Sequence, residues 1–378
     1  LTDVTGVQTC ALPISGNPMK NPILILMVLL TAFLSSCRMG DNMFIASGYS
    51  GDGTADVLLC RLNGNGSIEK LSEITIGDNP SFFTFGREGL IYFVNEVDSF
   101  DLKSGGGITT VRYDKKNMSL EKISSINQGG GGPCHITLSN DGKYLITANY
   151  GSGSVSVVRL SSEGIPEKVT DVIKYGERSH PHMTLHNPRL HTYYVSDLGL
   201  GRVYQLKLDT AMGLLMNAEI PWFTCEPGSG PRHMTIDKSS ANLHVINELN
   251  STITVYNILS DTVTARQTVS TLPDGYTEKS YCADLHLSPN GKRLFGSNRG
   301  HNSIVTFRVG ADGMLSEPSH ISCGGNWPRN FAAAGSGGLF LVANQRSNEI
   351  SVIAAQADNE DETPSLAFNT PACVKFVR

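Results

Sequence analysis

Histidine, arginine and acidic side chains recur at matching places along this chain. In six segments that align with one another, the third residue is Phe82, His135, His182, His233, Asp284 or Asn330, and Arg232 and Arg329 stand one residue earlier. Further on, where a second apolar run ends, each segment places Glu96, Tyr150, Leu198, Glu248, Arg299 or Gln345. An apolar strand does not require three histidines and an aspartate at one register. The types present suit acid–base chemistry on an anionic or carbonyl substrate. His182 titrates in a range useful for proton transfer. Glu248 can take a proton or fix a histidine tautomer. Arg232, Arg299 and Arg329 can hold a carboxylate or phosphate and stabilise an oxyanion. His135, His233 and Asp284 are then candidates to shape the pocket.

Each of these residues also has a plainer reading. His135 and His233 can be packing histidines beneath a rim. Glu248 and Arg299 occupy matching places in adjacent segments, so an ion pair between repeats accounts for them as well. His180 and His182 in SHPHMTLH are of a type that binds metal, but no compact His/Cys ligand spacing follows. Trp327 either walls a pocket or fills a junction, and Arg329 in NWPRN can cap a turn. His186, His191, His244 and His286 fall within strands or near turns and are weaker candidates. Asn95, Asn149, Asn247, Asn298 and Asn344 recur just before the second-run exit, where a short amide satisfies turn backbone. The glycines of 129–132 lack the Gly-Lys-Ser/Thr of a phosphate loop, and no Gly-x-Ser-x-Gly elbow is present.

Side chains so far apart in sequence share a site only if the repeats converge. The segments begin at Pro80, Pro133, His180, Pro231, Cys282 and Pro328, and a seventh begins at Pro371 and stops after one strand, giving intervals of 53, 47, 51, 51, 46 and 43 residues. That period belongs to propeller blades and related repeats. Each unit reads as an inner strand, a Gly-containing turn, a second strand and two outer strands, as in HITLS, NDGK, YLITANY and SVSVVRL. No such sheet buries both faces alone; radial stacking does. The strands that the seventh unit lacks stand at the other end of the chain, in Met43–Tyr49, Ala55–Leu62 and Leu71–Ile76. The expected fold is therefore all-β, a seven-bladed β-propeller spanning 43–378 with its closing blade shared between N- and C-terminal strands. An open solenoid would instead need atypical caps.

The segment from Met19 to Cys37, MKNPILILMVLLTAFLSSC, has the lysine, apolar run and small-residue ending of an export signal. Its ending resembles a bacterial lipoprotein box, which makes Cys37 the expected lipid-bearing residue and the membrane an expected partner. Residues 1–18 fit neither signal nor repeat and read as a non-native leader. The formal charge of -5 argues against a nucleic-acid partner. Cys60, Cys134, Cys225, Cys282, Cys323 and Cys373 are widely scattered. They suit small buried hydrophobes, with room for one disulfide in an exported chain.

The stretches GPRHMTIDKSSANLHVINELNSTITVY and YCADLHLSPNGKRLFGSNRGHNSI, with the closing PRNF, resemble the bacterial seven-bladed lactonases whose namesake is 6-phosphogluconolactonase. The resemblance covers nearly all of 43–378. The family is also similar to fungal carboxymuconate lactonising enzymes, which use a histidine, two arginines and a glutamate; the matching residues here are His182, Arg232, Arg299 and Glu248. The resemblance implies hydrolysis of a sugar lactone by water activated at His182 or Glu248, with the arginines orienting an anionic substrate. Such a scheme needs no metal or cofactor, because a lactone is already an activated acyl group. Export sits awkwardly with an intracellular sugar phosphate, so a non-phosphorylated aldonolactone or another anionic sugar derivative is a further expectation. A non-catalytic binding propeller, and a lactonising or isomerising enzyme acting on an unsaturated acid, are the competing readings.

Overall fold

The second strand of each repeat decides the architecture. LIYFVN, YLITAN, TYYVSD and NLHVIN are buried at every position, so both faces of these strands must be covered. The outermost strands, such as Ser119–Asn127 and Thr264–Ser270, are largely half-buried or exposed, as the last strand of a radial sheet should be. A computed structural model of the 378-residue chain describes residues 42–49, 56–259, 262–334, 338–355 and 363–377. The leader 1–18, the signal segment 19–37 and Cys37 lie outside the described residues.

Seven four-stranded antiparallel sheets form the ring. Blade 1 runs from Phe82–Phe85 at the axis through Leu90–Asn95 and Gly107–Asp114 to Ser119–Asn127. The inner strands of blades 2 to 6 are Pro133–Leu138, Pro181–Asn187, Pro231–Ile236, Tyr281–Leu287 and Pro328–Ala334. Blade 7 takes its inner strand from Pro371–Phe376 and its other three from Asn42–Gly48, Val57–Leu62 and Ile68–Ile74. The two chain ends pair as expected, Phe44 with Phe376, Ala46 with Val374 and Ser47 with Cys373. Two details differ from the sequence expectation. The last strand of blade 7 starts at Ile68 rather than Leu71, and blade 1 carries a small extra hairpin, Ser99–Phe100 with Lys103–Ser104.

Apolar contacts between blades hold the ring. Phe295 of blade 5 meets Phe340 of blade 6 edge-on with centroids 4.9 Å apart, and Phe331 joins them; all three are fully buried. Each such ring contributes about 1.5–3 kcal/mol by leaving water. The six cysteines within the propeller are buried and free, so the disulfide allowed by the sequence is not formed.

One feature of the inner strands governs the site. In blades 2, 3, 4 and 6 the first residue pairs with the last residue of the second strand, but the third pairs only one step further on, as in Pro231↔Asn247 followed by His233↔Ile246. The second residue is therefore an extra one, a bulge at the end of the inner strand. Such bulges occur at barrel rims and re-aim a side chain.

Candidate active site

The bulged positions are Cys134, His182, Arg232 and Arg329, and all four line one recess at the axis. Ser81, Phe82, His233, Asn330 and Ala372 complete its lining. The side chains lie in three tiers. Phe82, His135, His233, Asp284 and Asn330 form the floor, the bulge residues form the wall, and the second-strand exits form the rim.

This placement corrects the alignment of His182. Its repeat begins at Pro181, which pairs with Asp197 as Pro231 pairs with Asn247. His182 therefore occupies the wall register of Arg232 and Arg329, and Met183 takes the floor place expected for it. Asp197 replaces the periodic asparagine; its carboxylate accepts bonds from the His180 and Leu200 amides and from Ser179. His180 is not part of the recess lining: it stacks on Tyr150 at 4.4 Å and its Nδ1 bonds the Tyr150 carbonyl.

Glu248 organises the rim. One of its oxygens, Oε2, meets Arg232 Nε at 2.9 Å and Arg299 Nη2 at 2.9 Å. The first pair lies within blade 4 and the second crosses to blade 5, so the ion pair anticipated as the plainer reading exists and extends to a second arginine. Arg232 also donates to the Ala283 carbonyl at 2.6 Å, and Arg299 to that of Cys282 at 3.0 Å. Burial favours a neutral Glu248, but Arg232 and then Arg299 outweigh it and hold the carboxyl below its ordinary value. Burial acts against both guanidiniums in turn, and that of Arg299 is lowered to about 10.

Arg329 belongs to a second chain of bonds that the sequence left out. Its Nη2 donates to Tyr49 Oη at 2.7 Å, and Tyr49 donates to Glu96 Oε2 at 2.8 Å. Tyr49 is the rim residue of blade 7, following Gly48, which pairs with Pro371. The signal was readable: Tyr49 follows the second strand of blade 7 as Glu96 and Glu248 follow theirs. A Cβ at Gly48 would lie 2.7 Å from the Asn369 carbonyl, so this blade cannot carry the asparagine found elsewhere. Burial works against a charged Arg329, but Tyr49 and Glu96 outweigh it and raise its affinity for the proton.

Asp284 is the hub of the floor. Its Oδ1 accepts from His233 Nδ1 at 2.7 Å and from the Leu285 amide at 2.9 Å. Its Oδ2 accepts from His286 Nε2 at 2.7 Å, from Asn330 and from the Phe331 amide. Burial would raise its pKa, but these partners, His286 foremost, hold it well below the usual carboxylate range. From sequence His286 is a weaker candidate because it falls within a strand, yet it stands two residues past Asp284 on that strand, a spacing that puts both on one face. The bond to Asp284 sets the His233 proton on Nδ1. Burial, with Arg232 nearby, lowers the His233 pKa to about 4.

His182 stands over this floor, its ring 5.4 Å from that of His233. It is buried, its Nδ1 meets no hydrogen-bonding partner, and burial together with Arg232 drives its pKa well below 6.5. His182 is thus neutral near pH 7, with a lone pair to offer. His135 lies tilted against Phe82 with ring centroids 4.3 Å apart, and its Nδ1 accepts from the Thr184 amide at 3.4 Å. By formal charge, Arg232, Arg299 and Arg329 face Glu248 and Glu96 above and Asp284 in the floor.

The chain is thus a closed ring of seven blades with a polar, arginine-rich recess on its axis. The family model "Lactonase, 7-bladed beta-propeller" matches residues 43–376, and the chain belongs to that family. It is 28% identical over 317 residues to a 6-phosphogluconolactonase of Bacillus subtilis strain 168, covering 79% of this chain and 87% of that protein. A 6-phosphogluconolactonase of Formosa agariphila is 30% identical over 302 residues, covering 76% and 84%. Among solved structures, the periplasmic gluconolactonase PpgL of Pseudomonas aeruginosa superposes with a TM-score of 0.80 at 26% identity, over 90% of this chain and 99% of that one.

Proposed function

We propose that the protein hydrolyses a sugar lactone by attack of water on the ring carbonyl. The observation that carries this reading is the convergence of neutral His182 with Arg232 and Arg329 on one recess, each aimed there by a bulge. His182 takes a proton from the attacking water, and the arginine wall stabilises the oxyanion that forms at the carbonyl. The C–O ring bond then breaks, and His182 returns the proton it took from water to the leaving alkoxide. Glu248 keeps Arg232 and Arg299 in place and charged. It is the poorer base of the two sequence candidates, because two guanidiniums share its Oε2 and favour the carboxylate. His233, fixed by Asp284, supports the floor beneath His182, and His135 packs beside it.

The substrate is a sugar lactone, either 6-phosphogluconolactone, as for the Bacillus and Formosa relatives, or an unphosphorylated aldonolactone, as for the Pseudomonas relative. Incubation with gluconolactone and its 6-phosphate, followed by acid release, tests the reading. Ring opening of either supports it. Binding of both without turnover would make the protein a binding propeller, and loss of a carbon–carbon double bond from an unsaturated diacid would make it a lactonising enzyme.

We further propose that residues 19–37 direct export and that Cys37 carries lipid, with 1–18 foreign to the protein and 43–378 facing the periplasm or cell exterior. The periplasmic relative supports that location. In cells, Cys37→Ser should abolish incorporation of labelled fatty acid and release the protein from membranes; unchanged labelling rejects the anchor.

A further inference from the structure

The arginines of the recess are already engaged. Glu248 pairs with Arg232 and Arg299, and Arg329 leans on Tyr49 and Glu96. A cation that is to recognise a charged substituent of the substrate should have no such partner. Arg346 meets that condition. It is exposed, and it forms no ion pair among the described residues.

Arg346 is nevertheless held in place. Its guanidinium carbon lies 3.3 Å from the centroid of Trp327, close enough for face-on stacking. Trp327 also carries the Arg299 guanidinium at 5.4 Å and packs with Tyr281 at 6.0 Å, so a single indole links Arg346 to the rim. Trp327 has a φ of +68°, an uncommon conformation for a bulky residue. Local bonds hold it there. The Trp327 amide donates to Asn302 Oδ1 at 2.9 Å, the Gln345 amide to the Trp327 carbonyl at 3.0 Å, and the Arg346 amide to the Asn326 carbonyl at 3.1 Å. The Asn326 amide adds a bond to Ser347 Oγ at 2.9 Å. The turn carrying Arg346 is thereby clipped to the segment carrying Trp327. Stacking orients the guanidinium but leaves its in-plane N–H donors free to bond an anion.

We propose that Arg346, oriented by Trp327, is the specificity-determining residue for an anionic group borne by the substrate away from its lactone ring, a terminal phosphate or carboxylate. This rests on the lactonase reading and names the substrate class as an anionic rather than a neutral aldonolactone. Arg232 and Arg329 then act at the carbonyl end, and the choice of substrate is made at the rim, where Trp327 lies between Arg299 and Arg346.

Two measurements test the assignment. Steady-state hydrolysis is followed with neutral gluconolactone, its 6-phosphate, and an aldarolactone bearing a terminal carboxylate. Arg346→Ala should raise KM for the preferred anionic substrate about 10-fold or more with little change in kcat, and leave the neutral lactone within about 2-fold, since a charge-assisted bond is being removed. Arg346→Lys should restore part of the loss. Which anionic lactone responds more distinguishes phosphate from carboxylate. Equal effects on neutral and anionic lactones, or none, overturn the assignment. The second measurement does not depend on turnover. The chain has two tryptophans, so in a Trp222→Phe background Trp327 is the sole reporter. Inorganic phosphate and, separately, acetate should change its emission saturably, and Arg346→Ala should abolish the change. No response in the parent, or a response that survives Arg346→Ala, overturns the anion site even if the protein proves to be a lactonase. Failure of all three lactones with a phosphate response intact would instead sink the catalytic reading alone.

Discussion

At the scale of single residues, His182 and Glu248 divide the labour of the proposed site. Their surroundings push both pKa values down, with opposite consequences for charge: the histidine becomes neutral and the glutamate anionic. A neutral histidine can accept a proton from water, whereas a carboxylate shared by two guanidiniums gains little by doing so. His182→Ala should therefore lower kcat by about 10²–10⁴-fold with the sheet circular-dichroism signal unchanged. Glu248→Gln should also lower turnover, by a different route. It leaves two buried guanidiniums without their carboxylate and should cost on the order of 3 kcal/mol of stability, visible as a shifted urea midpoint. If Glu248→Gln removed activity while stability and KM stayed at the parent values, the glutamate would be acting directly on the proton. Parent-like turnover in His182→Ala would remove the histidine from the mechanism.

At the scale of the blade, the recurring asparagines tie strand to strand. Asn247 Nδ2 donates to Thr252 Oγ1 at 2.9 Å and Thr254 Oγ1 at 3.0 Å, pinning the second strand to the third. Asn149 does the same with Ser154 and Ser156, and Asn344 with Ser351 and the Cys323 carbonyl. Asn247→Ala should cost about 1–3 kcal/mol in urea unfolding, the range for stranding buried polar groups. Because the rim begins at the very next residue, it should also loosen Glu248 and raise KM. A structural role was legible because five asparagines shared one register; their partners were not, because strand hydroxyls alternate with apolar residues and carry no marker of their own. The blades themselves were legible for a stronger reason. Alternation and turn glycines recur with the period, and a missing set of strands at one end matched a surplus at the other. The bulge was the blind spot. An inserted residue leaves composition and alternation almost untouched, so SHPHM aligns by pattern on its first histidine, whereas the register starts at Pro181 and lifts His182 by one tier. Tyr49 escapes a reading by repeats because its blade is split between the chain ends, and its place after a second strand shows only once Asn42–Gly48 is paired with Pro371–Phe376.

At the scale of the whole ring, the axis gathers groups that resist protonation together. His135 and His182 are held well below 6.5, chiefly by burial, and His233 is lowered to about 4. In the unfolded chain each titrates near 6.5. Above that value neither state holds the extra protons, and stability is at its full value. As pH falls from about 6.5 toward 4 the unfolded chain takes up protons that the folded ring refuses, so stability drops. Each buried histidine contributes up to about 1.4 kcal/mol per pH unit to that slope. Asp284 works lower down. Its folded pKa is depressed, so its contribution persists above the ordinary carboxylate value and is lost only as pH falls through that value toward its own. Closure makes these local effects global, because the inner strands of all seven blades pack around the axis and the chain ends meet in blade 7. Urea midpoints measured at pH 7.5, 6 and 5 should therefore fall progressively, in one cooperative transition, before any carboxylate titrates. His135→Gln, which removes one of the three without touching His182 or the arginines, should reduce the slope by up to one proton's worth. A midpoint that stayed level from pH 7.5 to 5 would mean that these rings are not held neutral at the axis, and with that the case for His182 as a ready proton acceptor would lapse.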